Sequence, residues 1–119
     1  MKDIDLGWLC GFLEGEASFS LQRYNHKNPP GSKSPHRQDT LLLIRASQVD
    51  RSVLERVLSI TGVGKITSKK THSPISKKQQ FEWRVQKRDE IRYLLPIIRP
   101  HMSDRRKEKI DEMLKFLIK

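Results

Sequence analysis

Glu14 and Glu16 are the residues with the clearest chemical potential. They lie in the run Leu9-Cys10-Gly11-Phe12-Leu13-Glu14-Gly15-Glu16-Ala17-Ser18-Phe19, where an apolar helix should give way to a strand. Carboxylates are hard oxygen ligands for divalent cations, and a bound cation both acidifies water and polarises a phosphoryl oxygen. The surrounding glycines cost helix propensity, and the acids threaten to bury charge. Packing alone does not explain that combination. Gly7, Gly11 and Gly15 recur every four residues and so share one helix face, where missing side chains let a second backbone come close. The chain holds no second copy of the run, so the natural partner is the same helix of another subunit across a two-fold axis. That contact brings Glu16 near its symmetry mate, and divalent ions bridging phosphate oxygens would relieve the repulsion. Glu14 points elsewhere on the helix, to cap backbone groups or make an intersubunit contact. Trp8 belongs either to the core or to the dimer interface.

The elements that position these groups follow from periodicity. Asp5 can cap a first helix over about Leu6 to Gly15. From Ala17 the period becomes two, with Ala17, Phe19 and Leu21 alternating with Ser18, Ser20, Gln22 and Tyr24. Asn25 to Asp39, with its Pro, Gly and Ser, reads as a long loop or hairpin tip. A second strand covers Thr40 to Gln48. Asp50 caps a helix to about Ile60 with an apolar stripe of Val53, Leu54, Val57 and Leu58, and Gly62-Val63-Gly64 ends it. Lys65 to Lys70 is a short basic strand, and Phe81, Trp83 and Val85 mark another, with Phe81 and Trp83 in the core. A helix from Asp89 to about Ile98 is kinked or shortened by Pro96. The last helix, about Ser103 to Ile118, turns Ile110, Met113, Leu114, Leu117 and Ile118 inward. The sum is a single α+β domain over 1–119, in the order α-β-β-α-β-β-α-α, with helices on one face of a four-stranded antiparallel sheet.

Charge suggests what meets the uncovered face. The 119 residues carry 24 Lys and Arg against 14 Asp and Glu, a formal charge of +10. That balance favours a polyphosphate over an acidic protein or a membrane surface. One cysteine excludes an intrachain disulfide and a Cys-rich zinc site, and Cys10 reads as a packing residue. The four histidines, at 26, 36, 72 and 101, show no HExxH-like spacing. No apolar run approaches membrane-spanning length. Met1-Lys2-Asp3 runs straight into the first helix, so no signal or transit peptide is expected. Those readings imply an intracellular protein, in a bacterial or archaeal cytoplasm or inside an organelle.

The run Leu9 to Ala17 resembles the nine-residue signature of the LAGLIDADG homing endonucleases. Ser47-Gln48, the following helix, Gly62-Val63-Gly64, and the stretch from Pro96 through Arg99-Pro100-His101 to Lys107 resemble that family's layout in single-motif form. The resemblance implies a homodimeric, Mg-dependent DNA endonuclease with a saddle-shaped sheet on the major groove. It implies a long, nearly palindromic target, cleaved across the minor groove to leave 3′ overhangs. Glu16 falls on the family's metal-binding acid, assisted by the Gly15 carbonyl. Gln48 matches the polar residue that positions water, and Arg105 or Arg106, with Lys107 also open, matches the basic residue near the scissile phosphate. The sequence departs from the signature in having Glu at both acidic positions and Ala17 in place of the last glycine, changes that keep carboxylate chemistry.

Strand alternation nominates Ser20, Gln22, Tyr24 and His26, then Arg45, Thr67, Lys69, Glu82 and Arg84, as groups facing DNA bases. Lys27, Lys33, Arg37, Lys70, Lys77 and Lys78 suit phosphates instead. The alternative is a non-cleaving DNA-binding protein, or a cofactor for splicing intron RNA, on the same scaffold.

Overall fold

The sequence changes period at Ala17, and there helix gives way to strand. The computed structural model describes residues 1–26, 37–69 and 79–118. In order they form α1 (Asp3–Glu16), β1 (Ala17–His26), β2 (Arg37–Gln48), α2 (Arg51–Thr61), β3 (Lys65–Lys69), β4 (Gln80–Val85), α3 (Arg88–Ile98), a 3-10 turn (Arg99–His101) and α4 (Asp104–Ile118). The expected α-β-β-α-β-β-α-α order is the observed one. The strands lie in the order β1-β2-β4-β3, all neighbours antiparallel.

Helices cover one face of this sheet. Leu9 and Leu13 of α1, Ile44 and Trp83 of the sheet, Ile91 of α3 and Ile110 of α4 are all fully buried there. Each such side chain contributes about 1.5–3 kcal/mol by leaving water. Cys10 is buried among them, and burial pushes its thiol pKa up, as suits a packing residue.

Several boundaries differ from the sequence reading. Asp5 is not the cap of α1: Lys2 holds that position without a side-chain bond, and Asp3 and Asp5 lie inside the first turn. Acids there are favoured by the positive end of the helix dipole. Asp50 does cap α2, accepting from the Ser52 amide at 2.9 Å. The β1–β2 ladder runs without a break from Ala17 opposite Ala46 to His26 opposite Arg37. Of the two readings of Asn25 to Asp39, loop or hairpin tip, the ladder favours the long hairpin, because backbone pairing continues where apolar alternation stops. The helix read as ending near Ile98 does so, with Pro96 inside it rather than at its end. So near the helix end the proline removes only one internal bond. Ile118, expected inside, is 85% exposed, because the last turn of α4 overruns the core. Phe81 is half-buried beneath the Arg51 guanidinium, 5.5 Å from the ring centre.

The Gly62-Val63-Gly64 link is fixed from two sides. Gly62 takes φ +68° at the end of α2, and Gly64 takes φ +85°. Trp83 Nε1 donates to the Val63 carbonyl at 3.0 Å, and Glu90 Oε1 accepts from the Gly64 amide at 3.1 Å. Among the described residues, no helix is long and apolar enough to cross a membrane.

Candidate active site and nucleic-acid interface

Glu16 is the last residue of α1 and is exposed. The chain leaves the helix through Ala17 at φ −83° and ψ 150°, ordinary extended backbone. No non-glycine residue described has positive φ, so alanine fits where the signature has glycine. The last carbonyls of a helix lack partners within it, which leaves oxygens at this end open to outside ligands. An exposed carboxylate at Glu16 and a helix-end carbonyl at Gly15 are hard oxygen donors of the kind Mg²⁺ or Ca²⁺ takes. Among the described residues, no three His, Cys, Asp or Glu side chains gather to hold a metal ion.

Glu14 faces the other way and is engaged within its own chain. Its Oε1 accepts from the Ser103 amide at 2.6 Å, just before α4, and its Oε2 lies against Arg106. Of the two roles open to it, capping is the one the geometry displays. Partial burial pushes its pKa up, but the Ser103 bonds and the Arg106 charge prevail and hold it below the usual carboxylate value.

Arg105 and Arg106, adjacent in sequence, do different things. Arg106 is largely buried, donates from Nη1 to the Ala17 carbonyl at 2.7 Å, and stacks 5.5 Å from the Phe19 ring centre. Arg105 is exposed. With Lys109, Ser18 and the Arg106 side chain it lines an open cavity of about 280 Å³ beside the start of β1. Sequence spacing could not separate the two arginines, because it does not give the turn at which α4 begins. Lys107 is half-buried. Gln48 ends β2, two residues past Ala46, whose ladder partner Ala17 directly follows Glu16. The fold thus brings Gln48 to the same end of the sheet as the helix-end acid.

The uncovered sheet face carries a transverse row. Ser18 pairs with Arg45, Arg45 with Arg84, and Arg84 with Lys65, so three cations on adjacent strands stand side by side. Lys65 was not among the nominated residues; only the strand register reveals it. Arg45 and Gln22 are exposed, and Ser20, Thr67 and Arg84 half-exposed. Glu82 keeps only 8% of its surface, between Ser47 and Thr67 on the flanking strands, with its Oε2 3.7 Å from Arg84 Nε. The more accessible of these two β4 side chains is therefore Arg84, with Glu82 beside it. Leu43, opposite Ser20, is buried at 4% yet lies outside the core cluster, an apolar spot on the open face. The backbones of Tyr24 and His26 lie in β1 and that of Lys69 in β3, while Arg37, read as part of the loop or hairpin tip, lies in β2. Lys27, Lys33, Lys70, Lys77 and Lys78 lie outside the described residues.

The glycine stripe is open. Gly7, Gly11 and Gly15 are exposed, and a Cβ added to any of them would meet nothing within 4 Å. Trp8 is half-buried in its own subunit, stacked on Phe12 with ring centres 5.5 Å apart and covered by Arg56 at 4.1 Å.

A family model described as LAGLIDADG endonuclease matches residues 9–117. Among curated proteins, none matches the sequence significantly. Among solved structures, the chain resembles the homing endonuclease I-CvuI bound to the I-CreI target, uncleaved with Mg present. The TM-score is 0.73 at 16% identity, over 98% of this chain and 67% of that one. The archaeal intron-encoded homing endonuclease I-Vdi141I, complexed with DNA, gives 0.72 at 23% identity, over 99% and 71%. The LAGLIDADG meganuclease I-AabMI, bound to uncleaved DNA, gives 0.56 at 25% identity, over 80% of this chain but 28% of that one. The chain spans about two thirds of the length of I-CvuI. The structural likenesses establish the fold, and the family match runs through the helix-end acids and both hairpins to α4: the chain belongs to the LAGLIDADG endonuclease family.

Proposed function

We propose that the protein is a site-specific, double-strand DNA endonuclease that works as a homodimer on a long, nearly palindromic target. The observation that carries this reading is the exposed carboxylate of Glu16 at the end of a helix whose glycine face is open. Two such helices, packed glycine face to glycine face, bring two Glu16 carboxylates to the middle of a duplex. The Ser18–Arg45–Arg84–Lys65 row of each subunit then lies along the major groove, where arginine pairs with guanine edges and lysine with phosphates.

Glu16 and the Gly15 carbonyl would hold a divalent ion, Mg²⁺ in the active state, which acidifies water and stabilises charge on the phosphate. Gln48 orients the attacking water. Arg105, on the cavity beside Ser18, neutralises the phosphate as its charge grows. Cleavage on both strands across the minor groove leaves 3′ overhangs. Intron RNA is the alternative partner, and metal-dependent nicking of a cognate duplex separates the two readings.

The test is Glu16→Gln on a duplex selected by the wild-type protein from a randomised library. Cleavage should vanish while specific binding persists. Undiminished cleavage by a homogeneous preparation of the variant would remove Glu16 from the site.

A further inference from the structure

The acid and the arginine that the reaction leaves unused enclose Glu16. Glu14 stands two residues before it and Ala17 one residue after, and Arg106 of α4 holds both, the first through its carboxylate and the second through its carbonyl at 2.7 Å. Glu14 is in turn bound to the backbone of α4, accepting from the Ser103 amide at 2.6 Å and lying 3.3 Å from the Ser103 hydroxyl. The Phe19 ring closes the other side of the guanidinium.

A largely buried arginine gains little stability from a partly exposed partner, since desolvating the guanidinium offsets much of the attraction. An apolar side chain on α4 would fill the space against Phe19 as well. What only a planar, multi-donor guanidinium supplies is simultaneous grip on two acceptors that differ in kind and position. Here those acceptors lie on either side of the helix-to-strand junction from which the Glu16 side chain departs. A second observation agrees: Arg105 is exposed on the neighbouring cavity, whose other cations are the engaged guanidinium of Arg106 and Lys109, itself paired with Glu112 at 3.4 Å.

We propose that Glu14 and Arg106 form a positioning couple that fixes the backbone on both sides of Glu16 and so sets where its carboxylate meets the metal. The couple rests on the endonuclease reading for its consequence, but not for its geometry. Arg106 is then a positioning residue that leaves phosphate contact to Arg105. Because the grip comes from α4, the last helix of the chain determines the aim of an acid near its start.

The experiment compares wild type with Glu14→Gln, Arg106→Gln, Arg106→Lys and the double variant Glu14→Gln/Arg106→Gln, on a library-selected duplex. Groups that orient metal ligands typically affect metal affinity or activity about 10–100-fold. Each single variant should lower the single-turnover rate by that order and raise the Mg²⁺ concentration at half-maximal rate. DNA affinity and its salt slope should stay unchanged, because Arg106 touches no phosphate. The double variant should lose no more than the worse single, the signature of one shared unit. Amide hydrogen exchange at residues 16–18, read without DNA or metal, should quicken in all four variants. Arg106→Lys keeps the charge but cannot span both acceptors, so it should fold and still show the raised Mg²⁺ requirement. A salt slope that falls by about one in Arg106→Gln would make Arg106 a phosphate contact and overturn the proposal. So would a lowered melting temperature with unaltered exchange and unaltered Mg²⁺ requirement. If wild-type protein cleaves no duplex, the endonuclease reading fails, and the exchange measurement alone decides whether the couple holds the junction.

Discussion

Arg45 and Arg84 stand directly opposite each other across the β2–β4 ladder, two like charges in the position where cross-strand neighbours interact most strongly. Such pairs weaken a sheet by a fraction of a kcal/mol to about 1 kcal/mol. Glu82 relieves part of this from 3.7 Å, and Lys65 on the far side of Arg84 adds to it. The free protein thus carries a repulsion that a polyanion relieves.

Replacing Arg45 with threonine should therefore raise the melting temperature of the free protein while weakening its hold on DNA. Arg84→Ala should relax the sequence requirement at one base pair in each half-site, at about 1–3 kcal/mol of discrimination per lost bidentate contact. Calorimetry of the free protein and binding measurements on single-substitution targets check the two halves of this expectation.

The glycine stripe predicts a separation of folding from assembly. Nothing lies within 4 Å of a Cβ placed at Gly11, so Gly11→Leu should fold as well as wild type. Gly11→Ala should even stabilise the subunit by about 0.5–1 kcal/mol through helix propensity. Leucine should nonetheless abolish the dimer on DNA, seen by sedimentation, and cleavage with it.

Two other glycines should both resist substitution by alanine, one more than the other. At Gly64, φ is +85° and a new Cβ would lie 2.6 Å from Trp83 Nε1 and 2.8 Å from the Arg84 carbonyl. At Gly62, φ is +68° but the space is open. Gly62→Ala should cost about 1–2 kcal/mol, the strain of a left-handed alanine. Gly64→Ala should cost about 2–4 kcal/mol, because strain and collision add. Urea unfolding of the two variants gives the comparison.

Glu14 should make stability depend on acidity. Its native pKa is depressed by the Ser103 hydrogen bonds and the Arg106 charge, against an opposing push from partial burial. Its ionised form therefore contributes fully above the unfolded glutamate value, about 4.3, and the contribution is lost as pH falls through the lower native value. With its side chain 37% exposed, the contribution is screened to about 1 kcal/mol. Wild type should exceed Glu14→Gln by that amount near neutrality, and the difference should shrink in acid.

What was legible in the sequence was periodicity. The stripe of α2 and the alternation in β4 named Leu54, Val57, Trp83 and Val85, all fully buried. The lengths of β1 and β2 were not legible, because their outer halves are polar and are held by backbone pairing rather than side-chain burial. Glu16 stood out as a chemical residue through its local setting. The occupation of Glu14 did not, because its partner Ser103 lies 89 residues away and neither residue carries a mark of the other. The choice between Arg105 and Arg106 likewise depends on where the first turn of α4 falls.

The open face of α1 has a consequence for the lone subunit. At Gly7, Gly11 and Gly15 this face presents no side chain, and Ile4, one turn before Gly7, is 77% exposed beside it. A contact made there depends on close backbone approach, so subunits pair weakly on their own. While they remain scarce and only weakly paired, the frequency of double-strand breaks rises with the square of their number, so dilution itself restrains the enzyme.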